Sequence, residues 1–283
     1  MSKPALSARG PAARGFAARP FATQRLAARR FAGRALSAMI LPAALLLLWQ
    51  IASTRGWTPR QILPPPKIVW ASFLDLASSG ELLTHIKASL LRVAISFLIG
   101  SGAGLVLGLG MGLSRRVEDL FGVAFHAVNQ VPTLGWLPVM IVVVGLNDTL
   151  SYILIAQAVF VSVAINTQRG LRQTPERLVE VARVFRLTRA QLLRKVILPS
   201  AAPQIFTGLR FGLANGWVSL VVVELLISSE GLGYLMSWGR QAFQLDLVLV
   251  AILVVGVIGL AMDAGLARLE GLFSRWQTEK RFA

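Results

Sequence analysis

Cysteine is absent from the 283-residue chain, and histidine occurs only twice. Without cysteine the chain forms no disulfide, thiolate nucleophile or cysteine metal site. His85 and His126 are far apart and lack the neighbouring carboxylates or histidines that a metal site needs, so we expect both to be structural. No lysine follows a glycine, so the phosphate-binding loop that ends in Gly-Lys-Ser/Thr is also absent. The sequence therefore predicts a chain that is not an enzyme, hydrolyses no ATP and binds no cofactor or metal.

Charged residues are scarce, at 15% of the chain against 55% hydrophobic residues, and the mean hydropathy is +0.64. Soluble domains are less apolar than this. We therefore predict an all-α integral membrane protein with about six transmembrane helices. The apolar segments lie near residues 38–53, 88–113, 120–146, 150–166, 205–227 and 247–266, and most reach the roughly 20 residues that a helix needs to cross a bilayer.

The third segment contains Pro132 and Pro138 and is expected to be kinked or broken there. Proline is tolerated at membrane depth only where neighbouring helices or water bond the carbonyls that it frees.

The second apolar segment has a glycine every four residues on one helix face. Small residues at this spacing let another helix approach closely, so they predict a packing seam. The seam consists of Gly100, Gly104, Gly108 and Gly112.

Lysine and arginine cluster on one side of a six-span arrangement. The clusters are the N-terminal arm, the Arg115-Arg116 turn and the segments 169–195 and 268–281. By the positive-inside rule this side is the cytoplasm, and both termini lie there. The net charge of +16 therefore indicates topology and contact with the anionic lipid bilayer. Nucleic-acid binding is not expected, because no aromatic residues interleave a basic groove.

The N-terminal arm, residues 1–35, is rich in alanine and arginine and contains no acidic residue. This composition resembles a mitochondrial transit peptide, and Arg29-Arg30-Phe31 resembles a twin-arginine signal. We interpret it instead as a disordered cytoplasmic arm that favours the N-in orientation. The transmembrane domain then comprises residues 36–283.

The basic segment 169–200 is predicted to form two short amphipathic helices joined at a corner. The Thr174-Pro175 pair is a start signal for the first helix, and Thr188 followed by Gln191 fits a capping box for the second. Pro199 is expected to end the second helix. The corner then falls at Arg186-Leu187.

This segment has Glu180, Ala182, Ile197, Leu198 and Pro199 at a characteristic spacing. In that spacing it resembles the EAA loop of permease subunits in ATP-binding-cassette (ABC) importers. In that family the loop is cytoplasmic and docks in a groove of the ATPase, so that ATP-driven closure of the nucleotide-binding dimer reaches the membrane helices. The resemblance implies an ATPase-docking loop here. Its residues are Glu180, Ala182, Arg186, Leu187, Ile197, Leu198 and Pro199.

Two residues depart from the family pattern. Val181 stands where the family usually has alanine, and Arg186 stands where it usually has glycine. A non-glycine residue in a left-handed conformation costs roughly 1–2 kcal/mol. Either the corner is not left-handed, or Arg186 gains a compensating contact on the ATPase.

Further motifs, in order and at proper spacing over about residues 63–276, resemble the permeases for nitrate, aliphatic sulfonates and taurine. The motifs are Leu63-Pro64-Pro65-Pro66, Ser79-Gly80-Glu81-Leu82, His85, Ser89-Leu90-Leu91-Arg92-Val93, Val131-Pro132, Trp136-Leu137-Pro138, Gly145, Thr207-Gly208-Leu209-Arg210, Glu224-Leu225-Leu226 and Gly231-Leu232-Gly233-Tyr234. Relatives also carry cyanate, bicarbonate, and thiamine or riboflavin precursors, so the solute is not readable from the motifs. A small sulfonate or similar oxyanion is our first expectation.

The resemblance implies a permease of the bacterial inner membrane that works by alternating access. Its partners would be a second permease copy, two ABC ATPase subunits that hydrolyse the ATP, and an extracytoplasmic solute-binding protein. One alternative is an ATP-independent channel or secondary transporter, which should carry buried ion-coupling carboxylates or an inverted repeat. Another is a membrane scaffold that binds nucleic acid or lipid through the basic arm.

Few polar residues lie at plausible pore depth. We expect Asn129, Gln130, Asn215 and Glu224 as candidate residues of a translocation path, with hydrogen bonds between helices as the alternative. Arg210 precedes Glu224 by fourteen positions, roughly 21 Å along a helix, so these two cannot pair on one helix. Asp263, close to Arg268 in sequence, is expected at the membrane interface.

Overall fold

The computed structural model describes residues 40–57, 59 and 62–273. These residues form helices joined by turns, with no strand among them. The chain divides into two units at residues 59 and 60. The first unit contributes helix α1, Ile40–Thr54, which is apolar. The predicted arm, residues 1–35, lies outside the described residues.

The second unit contains the remaining described helices. A 3₁₀ turn, Thr133–Trp136, precedes α5, and a π-helical turn, Leu193–Ile197, joins α8 to α9. The α-helices are α2 (Pro66–Ser78), α3 (Glu81–Leu113), α4 (Arg115–Gln130), α5 (Leu137–Val144), α6 (Asp148–Arg172), α7 (Glu176–Val184), α8 (Arg189–Leu192), α9 (Leu198–Ile227), α10 (Leu232–Gln241) and α11 (Leu245–Phe273).

Four described helical stretches are long and apolar enough to cross a bilayer, namely Glu81–Leu113, Asp148–Arg172, Arg189–Ile227 and Leu245–Gly271. The bent combination of α4 with the helix after it makes a fifth if it is one span. The prediction of an all-α membrane protein is therefore confirmed. The count of six additionally requires α1 to span, and α1 as described is shorter than the roughly 20 residues needed.

The predicted break in the third apolar segment is confirmed at one of its two prolines. The helices on either side of Pro132 meet at 92°. Val131, immediately before it, has an extended backbone (φ −87°, ψ 120°), because the ring of a following proline disfavours the helical conformation. Pro138 lies instead in the first turn of α5, where its missing N–H interrupts no helical hydrogen bond.

Helix α6 is central, with α3 and α9 both packed along it. The predicted glycine seam of α3 forms the first of these contacts. A Cβ atom added at Gly104 would lie 2.8 Å from the Phe160 carbonyl oxygen, and one at Gly108 would lie 2.7 Å from that of Ala164. Real Cβ atoms do not approach this closely, so only glycine permits the observed spacing of the two helices.

Helix α9 carries a second glycine row, Gly208, Gly212 and Gly216, which the sequence analysis did not single out although its spacing is also four. A Cβ at Gly216 would lie 2.7 Å from Val159 Cγ2, and one at Gly212 would lie 3.0 Å from Val163 Cγ2. Both valines are fully buried. Helix α6 is thus packed between two rows of glycines, one from α3 and one from α9.

Replacing a seam glycine should weaken this packing, and α3 offers a matched control. We expect Gly104→Ala to destabilise the protein by about 1–3 kcal/mol, because the added methyl group meets the backbone of α6. Gly102 lies on the same helix with nothing within 4 Å of an added Cβ, so Gly102→Ala should be neutral or stabilising by up to about 1 kcal/mol. Thermal unfolding of the two purified variants in detergent measures the difference. Equal effects would contradict the seam.

Candidate docking loop and translocation site

The corner of the predicted loop is left-handed, since Arg186 has a φ of 53°. The Leu187 N–H donates to the Ala182 carbonyl at 3.0 Å, and the Arg186 N–H donates to the Arg183 carbonyl at 2.9 Å. These two hydrogen bonds define a Schellman motif, in which glycine is common at the left-handed position. Of the two alternatives for this corner, the one in which it is not left-handed is therefore excluded. The compensating contact of Arg186 on an ATPase stays a prediction.

The capping box of the second loop helix is confirmed. The Gln191 N–H donates to Thr188 Oγ1 at 3.3 Å, and the Thr188 N–H donates to Gln191 Oε1 at 3.0 Å. The cap predicted for Thr174 is wrong. Pro175, which has no side-chain oxygen, occupies the N-cap position of α7, and buried Thr174 Oγ1 has no hydrogen-bond partner among the described residues.

Pro199 does not end the second loop helix as predicted, because it lies in the first turn of α9. Proline at that position lacks only an N–H that a helix start leaves unbonded. Through the π-helical turn, α8 continues into α9 as one helical stretch, Arg189–Ile227. The loop is therefore joined to a membrane span without a break.

The outer surface of α7 and its corner is unusually apolar for a segment between spans. Exposed fractions are 46% for Leu178, 53% for Val181, 80% for Val184 and 74% for Phe185, whereas Ala182 is buried at 3%. We call the four exposed residues the α7 patch. Exposed apolar patches with polar surroundings mark interaction sites. The patch was missed in the sequence analysis, although its helical spacing was visible there.

The predicted docking residues occupy different depths in this loop. Glu180 and Arg186 are exposed, and Ala182 is buried. Half-buried positions are taken by Leu187, Ile197, Leu198 and Pro199. Two of the seven predicted docking residues therefore lie on the surface of the loop, and the other five are buried or half-buried.

A polar cavity of about 300 Å³ lies where the broken α4–α5 segment meets α6 and α9. Asn129 and Asn215, two of the predicted path residues, line it, whereas Gln130 and Glu224 do not. Gln157, Ser162 and Ser219 also line it and were missed, although each is a polar residue within an apolar run. No described lining residue carries a charge.

A ladder of hydrogen bonds leads from this cavity along the contact of α6 with α9. Asn215 Nδ2 donates to Ser162 Oγ at 2.8 Å. Asn166 Nδ2 donates to the Ser162 carbonyl at 2.8 Å, and Gln204 Nε2 donates to Asn166 Oδ1 at 3.0 Å. We call Asn215, Ser162, Asn166 and Gln204 the polar ladder. All of its members are uncharged.

Glu224 lies at the other end of α9, and its side chain is fully buried. It accepts hydrogen bonds from Arg92 Nη1 at 2.5 Å, from Ser89 Oγ at 2.8 and 2.9 Å, and from the Gly233 N–H at 3.0 Å. Arg92 also donates to exposed Asp148 at 3.1 Å. This network ties α3, α6, α9 and α10 together, so Glu224 is the carboxylate bonded between helices that the sequence analysis offered as an alternative.

The partner of Glu224 was missed because Arg92 is 132 residues away in sequence. A signal for it existed. Arg92 continues the glycine row of α3 by two further steps of four, and Glu224 continues that of α9 in the same way. Residues four apart share a helix face, so the two glycine rows carry opposite charges to the same end of the bundle.

Two other predicted positions are clarified by their contacts. Asp263 pairs with Arg210 at 2.9 Å, and Arg210 also pairs with Glu270 at 3.0 Å. Asp263 thus forms its ion pair with Arg210 of α9, and not with Arg268, which is close to it in sequence. His85 Nδ1 accepts the Gly231 N–H at 3.1 Å, which is a structural role. Within the described residues no cluster of metal-ligating side chains is present.

The amino-acid sequence matches a known protein family. Residues 100–274 match the family described as "Binding-protein-dependent transport system inner membrane component". A Bacillus subtilis protein, whose name describes it as an aliphatic sulfonates transport permease, is 36% identical over 84% of this chain and 87% of its own. The taurine transport system permease protein of Escherichia coli is 32% identical over 84% of this chain and 88% of its own.

Among solved structures, an inward-facing conformation of the MetNI methionine ABC transporter is similar in fold. The TM-score is 0.59 at 16% identity, and the match covers 68% of this chain and 95% of the other. At this identity the likeness extends to the fold alone.

The buried network around Arg92 allows a matched test of its two carboxylates. We expect Glu224→Gln to destabilise the protein by about 3–5 kcal/mol, because it leaves the Arg92 charge buried without its enclosed partner. Asp148→Asn removes the other carboxylate, which is 69% exposed, and should cost less than about 1 kcal/mol. Unfolding temperatures of both variants in detergent give the comparison. A larger loss for Asp148→Asn would contradict the importance of the enclosed pair.

Proposed function

Since the chain belongs to the family of binding-protein-dependent transport system inner membrane components, we propose that it moves a small sulfonate or similar oxyanion inward as the permease subunit of an ABC importer. The observation that carries the proposal is the exposed α7 patch on a loop that continues directly into a membrane span. The names of the sulfonate and taurine permeases support a sulfonate, because taurine is itself an aminosulfonate.

The contacts suggest how ATPase movement reaches the membrane. The α7 patch docks in a groove of a separate ATPase subunit, which binds and hydrolyses the ATP. A displacement of the loop passes along the continuous stretch Arg189–Ile227. Through its glycine row, α9 then shifts against α6, whose side chains line the polar cavity. Packed helices move by sliding as units, so a shift at the loop changes access to the cavity.

The remaining parts of the proposal concern partners and orientation. Two ATPase subunits, an extracytoplasmic solute-binding protein and a second copy of the permease complete the importer. The chain is a multi-pass protein of the bacterial inner membrane, with the basic loop and both termini in the cytoplasm. The same orientation puts the Arg92–Glu224 network toward the outer face. The transmembrane domain of residues 36–283 performs transport, and the arm of residues 1–35 only reinforces orientation.

Uptake by the reconstituted importer tests this function directly. Proteoliposomes containing the permease and its ATPase should accumulate a radiolabelled short alkanesulfonate only with internal ATP and the solute-binding protein outside. The proposal is wrong if uptake proceeds equally without ATP, since that behaviour belongs to a channel or secondary transporter. Uptake of a thiamine or riboflavin precursor in place of the sulfonate would retain the importer and change its solute.

Glu180→Arg should uncouple the importer, because Glu180 is exposed beside the α7 patch and its charge is placed to meet the ATPase. We expect the variant to insert normally, to lose most co-purification of the ATPase and to lose transport. Glu230→Arg introduces the same charge change at an exposed position beyond the far end of α9 and should keep the ATPase. Normal transport and ATPase stimulation in Glu180→Arg would exclude the docking role.

Arg186→Gly should separate backbone strain from partner contact. Relief of the left-handed residue should stabilise the isolated permease by about 1 kcal/mol, while the affinity for the ATPase falls because the guanidinium is lost. Phe243 is also left-handed, with a φ of 58°, at the end of α10. Phe243→Gly should therefore relieve similar strain without changing ATPase affinity. Thermal unfolding and ATPase titration measure the two effects. Unchanged ATPase affinity in Arg186→Gly would show that this arginine gains no contact there.

A further inference from the structure

The polar cavity combines free hydrogen-bond donors with an absence of charge. Within the described residues, no side-chain hydrogen bond is found for Asn129 or Gln157. Asn215 uses one N–H for Ser162, and a primary amide has two. The lining therefore offers amide N–H groups from α4, α6 and α9 to a guest in one partly open cavity.

The charged side chains of α9 form ion pairs with other residues and do not line the cavity. Arg210 is the cation of α9 nearest to the polar ladder, and it is bound by Asp263 and Glu270 of α11. Glu224 is enclosed with Arg92. Because Arg210 and Glu224 are each neutralised by their own partners and no described lining residue is charged, an anion in the cavity meets neutral donors instead of a bare cation.

We propose that the cavity is a transient binding site for a small oxyanion inside the permease, and that the polar ladder is its way out toward the cytoplasm. The inference rests on the importer function proposed above and deepens it. Hydrogen bonds from neutral amides to an ionised acceptor are strong enough to replace part of the lost water. They lack the attraction of a full positive charge, which would hold the anion in place.

The dimensions of the cavity fit a short alkyl sulfonate. A volume of about 300 Å³ is at the lower end of ligand sites. Val131, Leu134, Val161 and Val218 line the same space, so the cavity offers apolar walls for an alkyl group as well as amides for the sulfonate oxygens.

The ladder has the length and direction needed for release. Gln204 precedes Asn215 by eleven residues on α9, a rise of about 16 Å. Asn166 follows Ser162 by one helical turn on α6. Both steps lead from the cavity toward the end of α9 at which the docking loop joins. An anion leaving the cavity therefore passes one uncharged polar group after another.

Two adjacent residues provide the test. Asn129 lines the cavity and Gln130 does not, so Asn129→Asp and Gln130→Glu add the same charge to neighbouring positions with little change of shape. In proteoliposomes with the ATPase and solute-binding protein, we expect Asn129→Asp to lower the initial rate of methanesulfonate uptake at least tenfold. Gln130→Glu should stay within about twofold of the wild type, and stimulation of ATP hydrolysis by the loaded binding protein should persist in both.

A second variant tests whether a positive charge in the cavity would hold the anion too tightly. Asn129→Lys should lower both the KM and the kcat of methanesulfonate uptake, because a cation binds the anion more tightly and releases it more slowly. A merely structural role of Asn129 would not lower KM. If Asn129→Asp abolishes ATPase stimulation, its uptake is not informative. Asn215→Asp, at another lining residue, is then expected to lower the initial rate of methanesulfonate uptake at least tenfold.

The results separate the two levels of the proposal. Equal uptake by Asn129→Asp and Gln130→Glu, with active wild type, overturns the binding site and leaves the importer function intact. Failure of the wild type to take up any sulfonate with ATP and binding protein overturns the solute assignment of the proposed function instead.

Discussion

The close approach of α3 and α9 to α6 is the constraint on which the rest of the second unit depends. In a bilayer, burial of apolar side chains does little to bring helices together, so association depends on close packing and hydrogen bonds. The glycine rows let helix backbones come near enough for both. Because the glycines of α9 must face α6, the rotation of α9 about its own axis is fixed. The direction in which its other residues point is then fixed as well. Arg210 lies two residues from both Gly208 and Gly212, or about 200° around the helix, which directs it away from α6 and toward α11.

The same rows explain where charge is found in the membrane. Glu224 and Arg92 continue them, so the two helices that each pack on α6 through glycines meet one another through an ion pair at the far end of α9. A buried ion pair is retained only with good geometry and further hydrogen bonds, which Ser89 and the Gly233 N–H supply. The charges of Arg92 and Glu224 are therefore held where they neutralise each other, and the described residues that line the polar cavity carry amides and hydroxyls but no charge.

The sequence correctly predicted structural features that are determined by residues close together in the chain. The capping box of Thr188 and Gln191 needs only four consecutive residues, and it formed as predicted. Pro199 was misassigned because proline both ends one helix and begins the next, and only the packing of α9 decides between these readings. The approach of Arg92 to Glu224 depends on the whole bundle: the spacing of four places each residue on the glycine face of its helix, but it does not say that these two helices meet. The glycine row of α3 indicated that a helix would pack there without identifying α6 as that helix.

The loop between α6 and α9 combines one strained residue with a rigid connection to a membrane span. All backbone hydrogen bonds of a Schellman motif are present at the corner, so the turn persists even though Arg186 costs about 1–2 kcal/mol in the left-handed conformation. With the corner fixed by hydrogen bonds on one side and α8 joined to α9 on the other, the loop has little freedom to absorb a displacement. A movement imposed on the α7 patch must then either shift α9 against α6 or break the corner.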